Sequence, residues 1–190
     1  MEYFVSLERA LEIAKKVQFK LTRTYSLLDE AHGRILTDDV ISLVDDPPFD
    51  NSSMDGFAVK HADTTDPPTR LRIVGTSQAA AVSASIHVSN GEAARIMTGA
   101  PMPPGADAII MVEKTTVSED GEWVELQAQA KPDWVRKRGE NLTKGQVALS
   151  AGERLTPHHI GLAATMGHPS LSVFSPPRVS IISTGDELKQ

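Results

Sequence analysis

The sequence contains no cysteine, which excludes disulfide bonds, thiolate metal ligands and cysteine nucleophiles. No apolar run approaches the roughly 18 residues of a membrane-spanning helix, and the N-terminus lacks the basic start of a secretory signal. Positive charge is also scarce, because 19 Lys and Arg face 25 Asp and Glu. Nucleic acid is therefore not an expected partner, since binding its phosphates needs a basic surface.

What the chain does have is enough apolar material for a core, with 40% hydrophobic residues in 190. This length allows one or two domains. We therefore expect a soluble, cytoplasmic protein that folds around one or two cores.

Two helices are predicted, one near each end of the chain. Ser6 can cap the first, whose apolar residues recur every three or four positions, and we expect this stripe to pack on a neighbouring element. Thr156 can cap the second, with Pro157 at its first position and Gly167 at its end. Between them, residues 34–42 mix apolar and polar side chains and are predicted to form a strand.

The middle of the chain, residues 45–143, is predicted to be a compact β domain. It begins with a loop of acids and prolines, and an Asp120-Gly121 turn predicts a hairpin. The apolar-rich runs predicted as strands here and in the later part of the chain are 71–74, 94–97, 108–112, 123–126, 145–149, 152–155, 171–174 and 179–183.

The last predicted strand, residues 179–183, is followed by a Thr-Gly-Asp-Glu turn typical of α/β domains. A buried parallel strand needs neighbours on both sides, and little chain remains to supply them. The sequence is therefore predicted to be a fragment of a longer protein.

Three stretches could carry chemistry. In residues 51–56, Asp55 could bind a divalent cation, although an Asx turn explains the same residues. Residues 98–105 form a stiff loop with donors that could face an anion, or a plain connection. A third stretch could hold a phosphate or oxyanion, or be a solvated face: Arg136, Lys137, Arg138 and Lys144.

Together these stretches resemble one family, the molybdopterin molybdenumtransferases (MoeA and gephyrin E-domain). Residues 51–58 resemble its N-S-[AS]-M-D-G-[YF]-A signature, and residues 95–108 resemble its R-I-[MF]-T-G-A-P…P-x-G-A-D-[AT] segment. Residues 138–141 resemble its R-x-G-E-D segment, and residues 183–188 resemble S-T-G-[DN]-E-[LI]. Four ordered motifs are far more specific than one.

The resemblance implies an α+β fold, largely β, in an elongated two-domain fragment that ends with the first strand of a third, α/β domain. Residues 1–44 and 144–176 would form a discontinuous helical or mixed domain I. Residues 45–143 would form the inserted β domain II. Residues 177–190 would begin a truncated domain III that binds molybdopterin.

The resemblance also implies an enzyme of molybdenum cofactor biosynthesis. This molybdopterin molybdotransferase would insert molybdate into adenylylated molybdopterin and release AMP, with magnesium (Mg²⁺) assisting, and the fragment alone would be inactive. The implied catalytic residues are Asp55, Thr98 and Glu187, with Asp55 also the metal ligand. The implied substrate- and anion-binding residues are Arg136, Arg138, Asn141 and Asp186.

The implied partners are a second copy of the chain, because the family's cleft lies between two subunits, and the molybdopterin adenylyltransferase. One position departs from the family, which commonly has Asp where this chain has Asn141. Asn keeps an acceptor oxygen but no charge, so a direct metal or proton-transfer role is in doubt there. Glu140 should point the other way along an extended segment.

Two other functions stay open. A dimeric member of this family could be a non-catalytic scaffold or binding module. A metal-dependent hydrolase could use Asp50, Asp55 and Asp107. The residues do not distinguish molybdate from tungstate, because the two oxyanions share charge and shape.

Overall fold

The structure, a computed structural model, describes residues 5–17, 21–79 and 86–182. The chain divides into two compact units, the first comprising residues 1–40 and 149–190 and the second residues 41–148. The second unit is therefore an insertion in the first. The predicted domain borders at residues 44, 144 and 176 stay predictions.

The described residues form short strands, four 3₁₀ turns and two α-helices, which confirms a largely β fold. The α-helices are α1 (Leu7–Lys16) and α2 (Pro157–Thr165), and the 3₁₀ turns are Leu28–Glu30, His61–Thr64, Val112–Lys114 and Pro132–Trp134. The strands are β1 (Arg23–Leu27), β2 (Val40–Ile41), β3 (Asn51–Ser52), β4 (Gly56–Val59), β5 (Thr69–Ser77), β6 (Glu92–Ile96), β7 (Ala108–Met111), β8 (Thr115–Val117), β9 (Trp123–Leu126), β10 (Val135–Arg136), β11 (Val147–Leu149) and β12 (Ser170–Phe174).

In the first unit, β1 pairs antiparallel with β12, and α2 covers a small core. The Thr156 side chain accepts a hydrogen bond from the backbone N–H of His159, and Pro157 occupies the first turn. The predicted cap and start of this helix are therefore confirmed, and the helix stops at Thr165, with Gly167 just beyond it at φ 93°. The buried side chains of this core are Ala31, Leu36, Val40, Leu149, Leu155, Ala163, Leu171 and Val173.

Helix α1 begins where the sequence predicts, because Ser6 accepts a hydrogen bond from the backbone N–H of Arg9. The sequence predicts that the apolar stripe of α1 packs on a neighbouring element, and this prediction is wrong for the part of the chain that the structure describes. No residue of α1 is buried, and Leu7 and Leu11 are 72% and 52% exposed.

One predicted strand is much shorter than expected, and two others are absent from the described residues. In residues 34–42 only β2 is a strand, while Ile35 and Leu36 make single bridges to Arg154 and Val173. Residues 152–155 accordingly form no strand. Residues 179–182 are irregular, and Ile181 is 91% exposed. A strand needs a neighbouring backbone to bond with, and no described strand lies beside this segment.

The second unit is built on a six-stranded sheet in the order β7-β4-β6-β5-β9-β8, antiparallel except for the parallel pair β5 and β6. These strands and the β8–β9 hairpin confirm the β runs predicted for residues 71–126. In β4, Phe57 and Val59 enter one apolar cluster while Ala58 enters another. This central strand is therefore buried on both faces, which anchors the residues just before it.

Gly56 allows β4 to lie this close to β7, because a Cβ at this position would overlap the carbonyl oxygen of Ile110. The backbone N–H of Val112 also donates to the carbonyl oxygen of Asp55 at 3.0 Å. The start of β4 is thus fixed from both sides. None of the helices in the described ranges is long and apolar enough to cross a membrane.

Candidate functional site

The two-residue strand β3 belongs to the first of the three stretches that the sequence singled out, and it lies between the other two. Asn51 is opposite Arg136 of β10, and on its other side it bridges Pro101. The backbone N–H of Ser52 donates to the carbonyl oxygen of Ala100 at 3.0 Å. All three predicted stretches therefore meet at β3, within the second unit.

Asp55 and Thr98 form a direct pair, here called the Asp55–Thr98 corner. Asp55 Oδ1 accepts hydrogen bonds from the Thr98 backbone N–H at 2.7 Å and from Thr98 Oγ1 at 2.8 Å. These bonds, aided by the positive charge of Arg95, hold the pKa of the exposed Asp55 carboxyl below its ordinary value. The carboxylate is therefore ionised at neutral pH.

This geometry changes the role that the sequence suggested for Thr98. Its hydroxyl proton and its N–H both point to Asp55, so neither is available to an oxyanion while the pair is intact. What the corner presents to a ligand is negative charge and acceptor oxygens. It therefore suits a cation or a ligand group that donates hydrogen bonds.

The loop after Thr98 uses its own backbone donors internally. The N–H of Gly99 donates to Ser52 at 2.8 Å, and that of Met102 donates to Asp50 at 2.9 Å, in both cases to a carbonyl oxygen. Gly105, at φ 90°, lies against Val88, whose N–H donates to Pro104 at 2.9 Å. At residues 98–100 and 102 the loop therefore does not offer N–H groups to an anion.

The basic stretch is paired with carboxylates from early in the chain. Asp50 accepts hydrogen bonds from Lys137 Nζ at 2.8 Å and from the backbone N–H of Arg138 at 2.9 Å. These two bonds lower the pKa of Asp50, with the Lys137 bond the larger cause. Arg138 Nε donates to Asp45 Oδ2 at 2.6 Å. Bonds from the backbone N–H of Lys144 and then from Arg138 lower the pKa of Asp45.

Arg136 differs from its two basic neighbours, because its closest side-chain partner is neutral. Its Nη2 donates to Asn141 Oδ1 at 3.2 Å, while the Glu140 carboxylate is 3.9 Å from its Nε. Asn141 Nδ2 donates in turn to Asp46 Oδ2 at 2.9 Å. Of the three consecutive cations, Arg136 is thus the one whose carboxylate partner lies farthest away.

The expected direction of Glu140 is wrong. Residues 137–140 form a turn with Gly139 at φ 71°, and Glu140 Oε2 accepts from the backbone N–H of Lys137 at 2.8 Å. The turn brings Glu140 and Asn141 to the same guanidinium of Arg136. An extended segment would have placed them on opposite faces.

The side-chain partners of this stretch neutralise most of its positive charge. Each of the three cations at positions 136–138 has one carboxylate partner: Glu140 for Arg136, Asp50 for Lys137 and Asp45 for Arg138. The sequence hid this because the aspartates lie about 90 residues upstream. The only signal was the run of acids beside the prolines.

Sequence reasoning also missed Asn51 as a possible ligand-binding residue. Its Oδ1 is buried and has no hydrogen-bond partner among the described residues. Buried polar atoms are usually paired, so a donor from a bound water or ligand would complete it. Only its place as the first residue of the 51–58 signature could have suggested it.

The described residues do not fit a metal ion by themselves. They contain no group of three or more Asp, Glu or His side chains that could share one ion. The hydrolase alternative fails for the same reason, since Asp50 contacts Lys137, Asp55 contacts Thr98, and Asp107 accepts from the backbone N–H of His61. The predicted site residues Asp186 and Glu187 lie outside the described residues.

A family model described as the MoeA N-terminal region (domain I and II) matches residues 5–167. A molybdopterin molybdenumtransferase from Haemophilus influenzae is 38% identical over 178 residues, covering 93% of this chain and 43% of the relative. One from Synechococcus elongatus is 36% identical over 192 residues, covering 99% and 47%. The chain thus spans less than half the length of these curated relatives.

Solved structures show the same similarity. A crystal structure of the molybdopterin biosynthesis moeA protein from Pyrococcus horikoshii superimposes with a TM-score of 0.76 at 32% identity, covering 98% of this chain and 50% of that one. A second structure of the Pyrococcus protein gives 0.74 at 30% identity, covering 80% and 41%.

Proposed function

This chain belongs to the family of MoeA N-terminal regions, and from that premise we propose that it serves in molybdenum cofactor biosynthesis. It would be part of a molybdopterin molybdotransferase that inserts molybdate into adenylylated molybdopterin and releases AMP. The relatives' names support a transferase of this pathway. The reaction itself is our proposal for this chain.

The observation that carries the proposal is the Asp55–Thr98 corner. Its two residues come from two separate signature segments, 43 positions apart. Nothing in a plain Asx turn requires the carboxylate to reach a second loop and accept both donors of one threonine. An ionised, exposed carboxylate in a fixed position is a suitable group for orienting a ligand or a cation during group transfer.

In this proposal Asp55 binds or orients the reacting group, and Thr98 holds that carboxylate in place. Arg136 supplies donors for an oxyanion, either molybdate or a phosphate of the nucleotide. Arg138, bonded to Asp45, keeps the turn at residues 137–140 folded. Asn141 acts on Arg136, and Asp186 and Glu187 stay proposed members of the site.

Magnesium stays a proposed cofactor with Asp55 as its proposed ligand. Isothermal titration of Mg²⁺ into the Asp55→Ala variant and the parent tests this directly. Equal affinities would remove Asp55 as a ligand.

We also propose a homodimer, a cytoplasmic location and contact with the adenylyltransferase that makes the substrate. The exposed apolar stripe of α1 supports the homodimer, because such stripes usually mark an interaction surface. Sedimentation equilibrium of the parent and of Leu11→Glu would show whether this helix holds a dimer together.

A chimera tests the proposed activity. The region of the Haemophilus influenzae enzyme that aligns with this chain is replaced by the chain, and the hybrid is expressed in a strain lacking its own molybdopterin molybdenumtransferase. We expect the activity of a molybdenum-dependent enzyme to return. The same enzyme with that region deleted serves as the negative control.

The scaffold alternative is tested by the same strain. If the chimera is soluble, melts cooperatively and still fails to restore activity, the chain is better described as a binding module of this family. If the chimera restores activity, a non-catalytic role is excluded as its sole function.

A further inference from the structure

The side-chain amide of Asn141 has two partners that fix which way it faces. The Asp46 carboxylate only accepts hydrogen bonds when ionised, so Nδ2 must face it, at 2.9 Å. The Arg136 guanidinium only donates, so Oδ1 must face Nη2, at 3.2 Å. An amide is the group that meets both requirements at once.

The backbone prevents these side chains from separating. The N–H groups of Asn141 and Leu142 both donate to the carbonyl oxygen of Asp46, at 2.9 and 3.2 Å. The N–H of Asp46 donates back to Leu142 at 2.8 Å. Positions 46 and 141 are therefore held as neighbours whatever side chains they carry.

From this geometry we infer that Asn141 is a positioning residue that orients Arg136 by linking it to Asp46. In this chain the acid of the link stands at position 46 and the amide at position 141. The family commonly has Asp at 141, whereas this chain has the amide there and an acid beside it at position 46. This inference depends on the proposed function in one respect only, which is that Arg136 has an anion to bind.

The inference makes the two positions interdependent. A carboxylate at position 141 would face Asp46 at about the distance of a hydrogen bond, and two like charges there repel. The other charged groups around the link are Glu140, Lys137 and Arg138. Glu140 faces Arg136, while Lys137 and Arg138 are paired with Asp50 and Asp45. Arg136, 3.2 Å from Asn141 Oδ1, would attract the new carboxylate, but it is shared with Glu140, so we expect it to offset only part of the repulsion.

The first test compares melting temperatures at pH 5 and pH 8. We expect Asn141→Asp to lower the melting temperature by about 3 °C more at pH 8 than at pH 5, because the carboxylate pair takes up a proton only at acidic pH. Adding Asp46→Asn to it should restore most of the loss, since the amide and the acid have then exchanged places. Asn90→Asp, beside Lys60 in the same unit, is the matched control for an added negative charge and should show no such pH difference.

The second test reads the orientation of Arg136 itself. In a ¹⁵N spectrum of the arginine side chains, Arg136→Lys assigns the Nε–H signal, and Asn141→Ala should shift or broaden it. The double variant Asn141→Asp with Asp46→Asn, which again has an acceptor facing Arg136, should give a signal close to that of the parent. A merely structural effect on stability would leave this signal unchanged at a temperature where both variants are folded.

Any one of three results would overturn the inference. The first is an Asn141→Asp variant that melts like the parent at pH 8, and the second is a double variant with a melting temperature no higher than that of the single variant. The third is an Arg136 signal that does not change in Asn141→Ala. Molybdate titrated into the parent tests the proposed function separately: if it fails to move that signal, Arg136 is not the anion site, and the link itself still stands.

Discussion

The Asp55–Thr98 corner and the turn at residues 137–140 both belong to motifs that resemble one family, yet they keep their charges in opposite ways. At the corner, a carboxylate accepts hydrogen bonds from a neutral threonine and stays negative and exposed. At residues 136–138, each of three cations is paired with one carboxylate, and little net charge is left. A charged residue is thus informative about function only when its partners are known.

The two regions are also held differently. The corner directly precedes β4, which is buried on both faces and packed against β7 through Gly56. The turn follows a two-residue strand and depends on side-chain bonds from Asp45 and Asp50. Changes to the backbone should therefore damage the corner most, and changes to charge should damage the turn most.

The largest effect is expected from Gly56→Ala. Its Cβ would overlap the Ile110 carbonyl oxygen, which belongs to backbone and cannot move aside, so we expect a loss of about 3 kcal/mol or a failure to fold. Gly121→Ala is the control, with a positive φ but nothing within 4 Å of the added carbon, and should cost about 1 kcal/mol. Urea unfolding measures both, and equal losses would show that close packing at β4 is unimportant.

A smaller loss is expected from Asp50→Asn, which weakens both bonds that hold residues 137 and 138. Since the Asp50 side chain is 41% exposed, solvent screening limits the cost to about 1 kcal/mol. Thermal unfolding at two salt concentrations checks the cause. A difference that persists undiminished in 1 M salt would mean that the turn is not held by charge.

The way in which melting temperature falls at acidic pH should distinguish the two regions further. The pKa values of Asp45, Asp50 and Asp55 are lowered from 3.8 by their hydrogen bonds. Each therefore adds stability that is present above this pH and is lost as the pH falls through the lowered value. We expect the double variant Asp45→Asn with Asp50→Asn to flatten melting temperature against pH more than Asp55→Asn does. The reverse order would mean that the corner, and not the turn, depends on charge.

The smallest effect is expected from Thr98→Val. It removes the hydroxyl bond to Asp55 but leaves the backbone N–H bond, so the carboxylate keeps its place. We expect less than about a tenfold fall in the chimera's rate of cofactor formation. Thr98→Ser, which keeps the hydroxyl, should match the parent, and a complete loss in Thr98→Val would give the hydroxyl a direct chemical role.

Sequence predicted what depends on local pattern. The caps at Ser6 and Thr156 and four strands of the second unit, β5, β6, β7 and β9, follow from spacing and turn residues, and the structure confirms them. The single bridges of Ile35 and Leu36 could not be predicted, because they depend on partners more than a hundred residues away. The same is true of Asp45 and Asp50, whose contacts with the turn convert a basic run into a neutral one.

The most direct test of this account is the rate of AMP release from adenylylated molybdopterin by the chimera carrying Asp55→Asn. The substitution keeps the size of the side chain and an acceptor for Thr98, so the melting temperature at pH 7 should fall only by the small stability that this exposed carboxylate adds. We expect the rate to fall about 100-fold or more, because the fixed negative charge is lost. A folded Asp55→Asn chimera whose rate lies within twofold of the parent would contradict the account.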